Sequence, residues 1–254
     1  LALITCALAE LPRWAESEEQ RVLRRSGVLI GLSIGAALLV RPMDAAIVAL
    51  VVGIFQGAIV MRAPARRTSV LWQCAGGALP LAFLFWANAR TTGAPFLFAY
   101  DALNGAAHRP GFHVDPSGVA HTPLRALTIT SGYLMKLNRY LFEWPIPGLL
   151  VIVAGLVAIR RASRWDALLV GLAASITVGY ALYWFDGFFA GPRFLYTALP
   201  AFLVFAARMP RAVSERVTLP VVRRAMAFVV PLCVADAWAV PTGVSSVQMR
   251  AYYY

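Results

Sequence analysis

The stretch Gly27 to Met61 reads GVLIGLSIGAALLV, then Arg41-Pro42-Met43-Asp44, then AAIVALVVGIFQGAIVM, and it decides how the rest of the chain is read. Taken as one helix it would be about 50 Å long against a hydrocarbon core of roughly 30 Å. It would also put Arg21, Arg24 and Arg25 on the opposite side of a membrane from Arg62, Arg66 and Arg67. Taken as a hairpin that turns at Arg41-Pro42-Met43-Asp44, it returns both basic clusters to one side. Residues 27–40 then make only about 21 Å of helix. The tip is therefore expected below the membrane surface, where backbone is tolerated only if buried in protein or lining a wet cavity.

The whole chain agrees with a membrane setting. Of its 254 residues 60% are hydrophobic and 14% charged, and its mean hydropathy is +0.68. Soluble domains carry about 25% charged residues. Disorder, a collagenous repeat and a disulfide scaffold are excluded by this apolar content and by the presence of only three cysteines. Cys6, Cys74 and Cys233 lie in apolar surroundings without Cys-x-x-Cys spacing and are expected to be packed thiols. Apolar runs at 27–40, 45–61, 69–88, 145–159, 167–185, 188–207 and 225–240 predict about seven membrane segments in one all-α, polytopic helical bundle. The chain opens on Leu1 inside an apolar run, so sequence upstream of it is expected.

The net charge of +11 comes from short basic loops. If the segment before Arg13 ends inside, the alternation of spans places four groups inside: Arg13 to Arg25, Arg62 to Arg67, Arg160 to Arg164, and Arg208 to Arg224. That pattern is one of membrane orientation, and no nucleic-acid partner is expected. Arginine supplies every basic residue except Lys136, the bias of a GC-rich bacterial genome. The expected location is thus a bacterial inner membrane. Small residues recur at four-residue spacing in Gly27, Gly31 and Gly35, in Gly53 and Gly57, and in Gly171, Ser175 and Gly179, which predicts close helix packing. No nucleotide-binding loop is present.

Residues 89–144 form the longest loop and face outward by the charge pattern. Thr122-Pro123 starts a helix predicted over 123–142. Its Leu127, Leu134, Leu137 and Leu141 fall on one face, and Arg125, Lys136 and Arg139 on the other. An amphipathic helix at the outer membrane surface is the expectation, with a basic face able to hold an anionic headgroup. His108, His113 and His121 all lie in this loop, but their spacing is not that of a zinc site. No metal or other cofactor is expected, although a weak divalent-cation site with carboxylates stays open. His121, just before the surface helix, is the histidine placed to contact a sugar or phosphate.

Asp186-Gly187-Phe188-Phe189-Ala190-Gly191-Pro192-Arg193-Phe194-Leu195-Tyr196 sets Arg193 inside an apolar run. A guanidinium there needs a carboxylate or phosphate partner. Asp44 and Asp186 are the candidate structural partners, and an anionic substrate is the functional one. Asp236, in the last apolar run, reads as reaching the interface. If the Arg41–Asp44 tip meets this corner, one outward cavity gathers Arg41, Asp44, Asp186, Arg193, Lys136 and Arg139.

Leu39-Val40-Arg41-Pro42 after a glycine-rich helix, the long outer loop, and Gly191-Pro192-Arg193-Phe194-Leu195-Tyr196 before Leu199-Pro200 together resemble the GT-C glycosyltransferases of the protein mannosyltransferase type, glycosyltransferase family 39. The resemblance spans about residues 27–207, through short motifs. It implies a GT-C-like bundle that moves a sugar from a polyprenyl-phosphate donor to an acceptor at the outer membrane face, among membrane lipids. Arg193 corresponds to the arginine of the family's Arg-Tyr pattern, with Phe194 in place of Tyr, and would hold the lipid phosphate with Lys136 or Arg139. The family's catalytic carboxylate, the base that deprotonates the acceptor, lies in the first outer loop, so it is expected upstream of Leu1. Asp44 or Asp186 would orient Arg193 or a sugar hydroxyl. A transporter or flippase for an anionic lipid-linked substrate is the rival reading, and a non-catalytic membrane subunit is the third. A transporter would be favoured by related halves, and no second Arg-Pro-Met-Asp hairpin occurs.

Overall fold

The computed structural model describes residues 1–141, 147–159, 162–185 and 193–216, with isolated positions between 220 and 231. Helices account for nearly all of this. In chain order they are α1 (Ala2–Glu16), α2 (Gln20–Val40), α3 (Pro42–Arg62), α4 (Arg67–Thr92), α5 (Ala99–Asn104), α6 (Pro123–Tyr140), α7 (Gly148–Ala158), α8 (Arg164–Ala181) and α9 (Leu199–Arg216). A single isolated β-bridge, Val114 to Ala120, is the one extended pairing among the described residues. The chain divides into two compact units. The first gathers Leu1–Thr130, Arg164–Asp186 and Phe194–Pro200, and the second Ser131–Ser163, Gly187–Arg193 and Ala201–Tyr254.

Three helices of the first unit are long and apolar enough to cross a membrane: α2, α3, and the run Pro64–Thr92 that contains α4. The short first helix expected from hydropathy is corrected here. Helix α2 begins at Gln20 and has 21 residues, about 31 Å. Its first two turns carry Arg21, Arg24 and Arg25, polar residues that a hydropathy window discards but that helix geometry accepts. The hairpin itself is as read, because Pro42 takes the first position of α3, where its missing N–H costs nothing. Helix α8 runs antiparallel to α3: Phe55 meets Trp165 at a ring separation of 5.0 Å, and Tyr180 reaches Asp44. The 225–240 run lies outside the described residues.

Helices α2 and α4 touch backbone to backbone. A Cβ on Gly31 would stand 1.9 Å from the Gln73 carbonyl oxygen, one on Gly27 2.5 Å from that of Ser69, and one on Gly76 2.4 Å from that of Val28. The first glycine stripe is therefore a packing face, as its spacing predicts. Gly179, met by Ile47 and Met43, lets α8 approach α3 in the same way. The second stripe makes no such contact among the described residues, none of which lies within 4 Å of a Cβ on Gly53 or Gly57. Polar ties complete the bundle. Gln56 donates to Gln73 Oε1 at 2.8 Å, and the Trp14 indole donates to Ser69 Oγ at 2.8 Å in the buried end where α1 meets α4.

Cys6 and Cys74 are exposed on their helices, which corrects the expectation of packed thiols, while Cys233 lies outside the described residues. Neither helix turns that face toward a neighbour among the described residues. In the second unit, α7 and α9 approach at Gly155, whose Cβ would meet the Phe205 carbonyl oxygen at 2.7 Å. Arg216 Nε donates to the Ala158 carbonyl at the C-terminal end of α7 at 2.9 Å, where a cation suits the helix dipole.

Candidate functional site

Asp44 is the centre of the site. It sits in the first turn of α3, where the helix dipole favours a carboxylate, and it is fully buried. Arg41 Nε lies 3.0 Å from Oδ2. The Tyr180 hydroxyl donates to Oδ1 at 2.5 Å, and the Thr197 hydroxyl to Oδ2 at 2.9 Å. Three donors on two oxygens account for the burial of a charge that would otherwise be costly. Arg41 also reaches the Tyr180 oxygen at 3.5 Å, and its side chain stays about a third exposed, at 36%.

Aromatic rings surround this knot. Tyr180 stacks on Phe194 at 4.9 Å, and Tyr183 meets Phe194 edge-on at 5.3 Å. Trp184 meets His108 at 5.5 Å. The long loop folds onto the same end of the unit. It leaves α4 through Gly93, whose φ of 79° closes the helix in the left-handed region that favours glycine. The Gly111 N–H donates to the Leu182 carbonyl at 2.7 Å, and the Tyr100 and Tyr183 hydroxyls are 3.2 Å apart.

His121 is buried, stacks on Phe112 at 5.6 Å and has Nε2 at 3.0 Å from the Ala181 carbonyl. A ring N–H on Nε2 makes that contact a hydrogen bond and leaves Nδ1 as an acceptor, which has no hydrogen-bond partner among the described residues. His108 and His113 are likewise tied to backbone, through the Asn104 carbonyl at 2.8 Å and the Ala107 carbonyl at 2.9 Å.

Helix α6 starts where Thr122-Pro123 predicts, with the Arg125 N–H bonded to Thr122 Oγ1 at 3.2 Å. On this helix Ala126, Tyr133 and Leu137 are buried, whereas Leu127 is exposed. Arg125 does not join a basic face, because its guanidinium lies 2.7 Å from Asp115 Oδ2. Leucine spacing alone cannot show that Ala and Tyr fill the contact.

Asp115 closes the turn that holds this part of the loop. The Ser117 hydroxyl bonds to it, joined by the Val119 N–H, the Arg125 guanidinium and the Ser117 N–H, and together they hold the carboxyl well below the usual carboxylate range against the opposing pull of burial. The folded group is thus the stronger acid. Its stabilisation is complete above about pH 4, the ordinary aspartate value, and fades as pH falls from there through the folded value. Proteolytic cleavage of the loop is expected to stay constant from about pH 8 to about pH 5 and to rise only in stronger acid. Asp115→Asn should raise cleavage throughout that range and flatten its acid dependence. A wild-type rise near pH 6 would contradict this account.

Arg41 and Asp44 are thus brought together. Arg193, half-buried, opens the 3-10 turn Arg193–Ala198. Lys136 is half-buried on α6. Asp186, Asp236 and the Arg139 side chain lie outside the described residues. Tyr180 and Thr197 were missed by sequence reasoning. The usable signal was a tyrosine near the end of an apolar run, where aromatic residues gather at membrane interfaces. Comparisons with protein-family models, curated proteins and solved structures give no match.

Proposed function

We propose that this chain is part of a GT-C-like membrane glycosyltransferase, of the family 39 type, that takes a sugar from a polyprenyl-phosphate donor at the outer face of a bacterial inner membrane. The observation that carries the reading is the buried Asp44 carboxylate, which clamps Arg41 at the tip of two apolar helices beside a long structured loop. Asp44 serves as a positioning residue: with both oxygens bonded and no exposure, it cannot take an acceptor proton without breaking its own contacts. Arg193, helped by Lys136 or Arg139, carries the charge for the donor phosphate, and Arg41, held by Asp44, offers a further cation to the substrate. Positive groups of this kind stabilise a departing phosphate. His121 offers its Nδ1 to a sugar hydroxyl. A second carboxylate deprotonates the acceptor, with Asp186 the candidate in this chain. No cofactor is needed, because the donor arrives activated.

The test compares binding of a polyprenyl-phosphate sugar to the full-length protein in lipid nanodiscs with that of Arg193→Ala and Arg41→Ala. Each variant is expected to bind about tenfold or more weakly, or about 1.4 kcal/mol, while keeping the helix content of the parent, and Arg41→Ala should also lower the melting temperature because it takes the ion-pair partner from the buried Asp44. Equal affinity with unchanged folding removes that arginine from the site. Binding without sugar transfer by the full-length protein would point to a transporter instead.

A further inference from the structure

We propose that the loop from Gly93 to Leu127 is itself a membrane-docking element, whose exposed apolar side chains enter the lipid leaflet at the Asp44 end of the first unit. This does not rest on the glycosyltransferase reading. The charges come first. From Thr91 to Thr130 the chain has two aspartates, two arginines and no lysine or glutamate. All four are spent on one another, Arg109 with Asp101 at 3.2 Å and Arg125 with Asp115 at 2.7 Å. The loop of a chain carrying +11 is thus neutral, and each of its histidines bonds a backbone carbonyl.

Its outward side is the reverse of a water-facing loop. Phe96, Leu103, Phe112, Val119, Leu124 and Leu127 are all half or more exposed, Leu103 at 86%. Exposed apolar groups in such number mark an interaction surface. Lipid is the occupant that two features select. The internal ion pairs lower the cost of entering a low-dielectric medium and leave no unmatched charge to steer a polar partner. The apolar surface also continues from α4: Phe96 packs on Phe85 at a ring separation of 5.0 Å, beside Phe83 and Trp86, which are more than half exposed on a helix fit to cross the bilayer. Amphipathic surface elements bury such groups about 5–10 Å into the headgroup and acyl boundary.

The test uses the full chain with Cys6, Cys74 and Cys233 replaced by serine, in phosphatidylcholine nanodiscs. Nitroxide labels are placed singly through Leu103→Cys, Phe112→Cys and Val119→Cys. Leu79→Cys on the exposed face of α4 is the lipid control and Glu18→Cys the water control. Collision with oxygen, which concentrates in lipid, is compared with collision with a water-soluble nickel chelate. The loop labels are expected to show an oxygen-to-nickel ratio roughly threefold or more above Glu18→Cys, approaching Leu79→Cys. A ratio equal to that of Glu18→Cys overturns the proposal. Shielding from both reagents overturns it too, since a second copy or another part of the chain would then cover the loop. A nickel-accessible Leu79→Cys would remove the membrane from α4 and the proposal with it. All three loop positions are exposed, so circular dichroism should match the parent protein.

Discussion

Asp44→Ala is expected to destabilise the first unit by about 2–4 kcal/mol, the range for removing one member of a buried, hydrogen-bonded charge cluster. The loss has two parts. The Tyr180 and Thr197 hydroxyls lose an ionised acceptor inside the protein, and hydrogen bonds to charged groups are worth about 1.5–3 kcal/mol. Arg41 loses its carboxylate, but its partial exposure lets water take over part of that role, so the ion pair contributes less than its distance implies. Tyr180→Phe and Thr197→Val should each cost about 1–2 kcal/mol in the parent protein and much less in the Asp44→Ala background. Thermal unfolding in nanodiscs reads the parent and its five variants. Additive losses would show that Asp44 does not organise the cluster.

Gly31→Ala is expected to be the most damaging single-methyl change in the bundle, at about 3 kcal/mol or more. In most helices the substitution favours helix formation by about 1 kcal/mol. Here the added Cβ would meet the Gln73 carbonyl at 1.9 Å and the Gly77 nitrogen at 2.9 Å, and both are backbone atoms that cannot swing away. Helices α2 and α4 would have to separate. Gly57→Ala is the matched control, in an apolar helix with open space around the new methyl, and should be neutral or slightly stabilising. The comparison can be made by denaturant titration in mixed micelles. If the two variants unfold together, the α2–α4 contact is looser than its geometry implies.

Much of the architecture was legible from local pattern. The turn at Arg41-Pro42 needed only hydropathy, a proline suited to a helix start, and two basic clusters. The Thr122-Pro123 start of α6 was equally local, because capping involves residues a few positions apart. Face assignments were less reliable. Gly27, Gly31 and Gly35 have the same spacing logic as Gly53 and Gly57, yet among the described residues only the first group meets a partner. On α6 the buried side chains include Ala126 and Tyr133 beside Leu137, and Cys6 and Cys74 face outward although their neighbours in sequence are apolar.

The candidate site divides along the same line. Arg41 and Asp44 were legible as charges at the hairpin tip, but the sequence offered Asp44 as a partner for Arg193, and its pairing with Arg41 came from the structure. That Tyr180 and Thr197 complete it was decided by the antiparallel docking of α8 on α3 and by the 3-10 turn Arg193–Ala198, across separations of 136 and 153 residues. Hydropathy and turn chemistry act over a few residues, so sequence alone determined the apolar helices and where they reverse. Which side chains neutralise a buried charge depends on atoms that only the packed helices bring within hydrogen-bonding reach, and only the tertiary structure decided it.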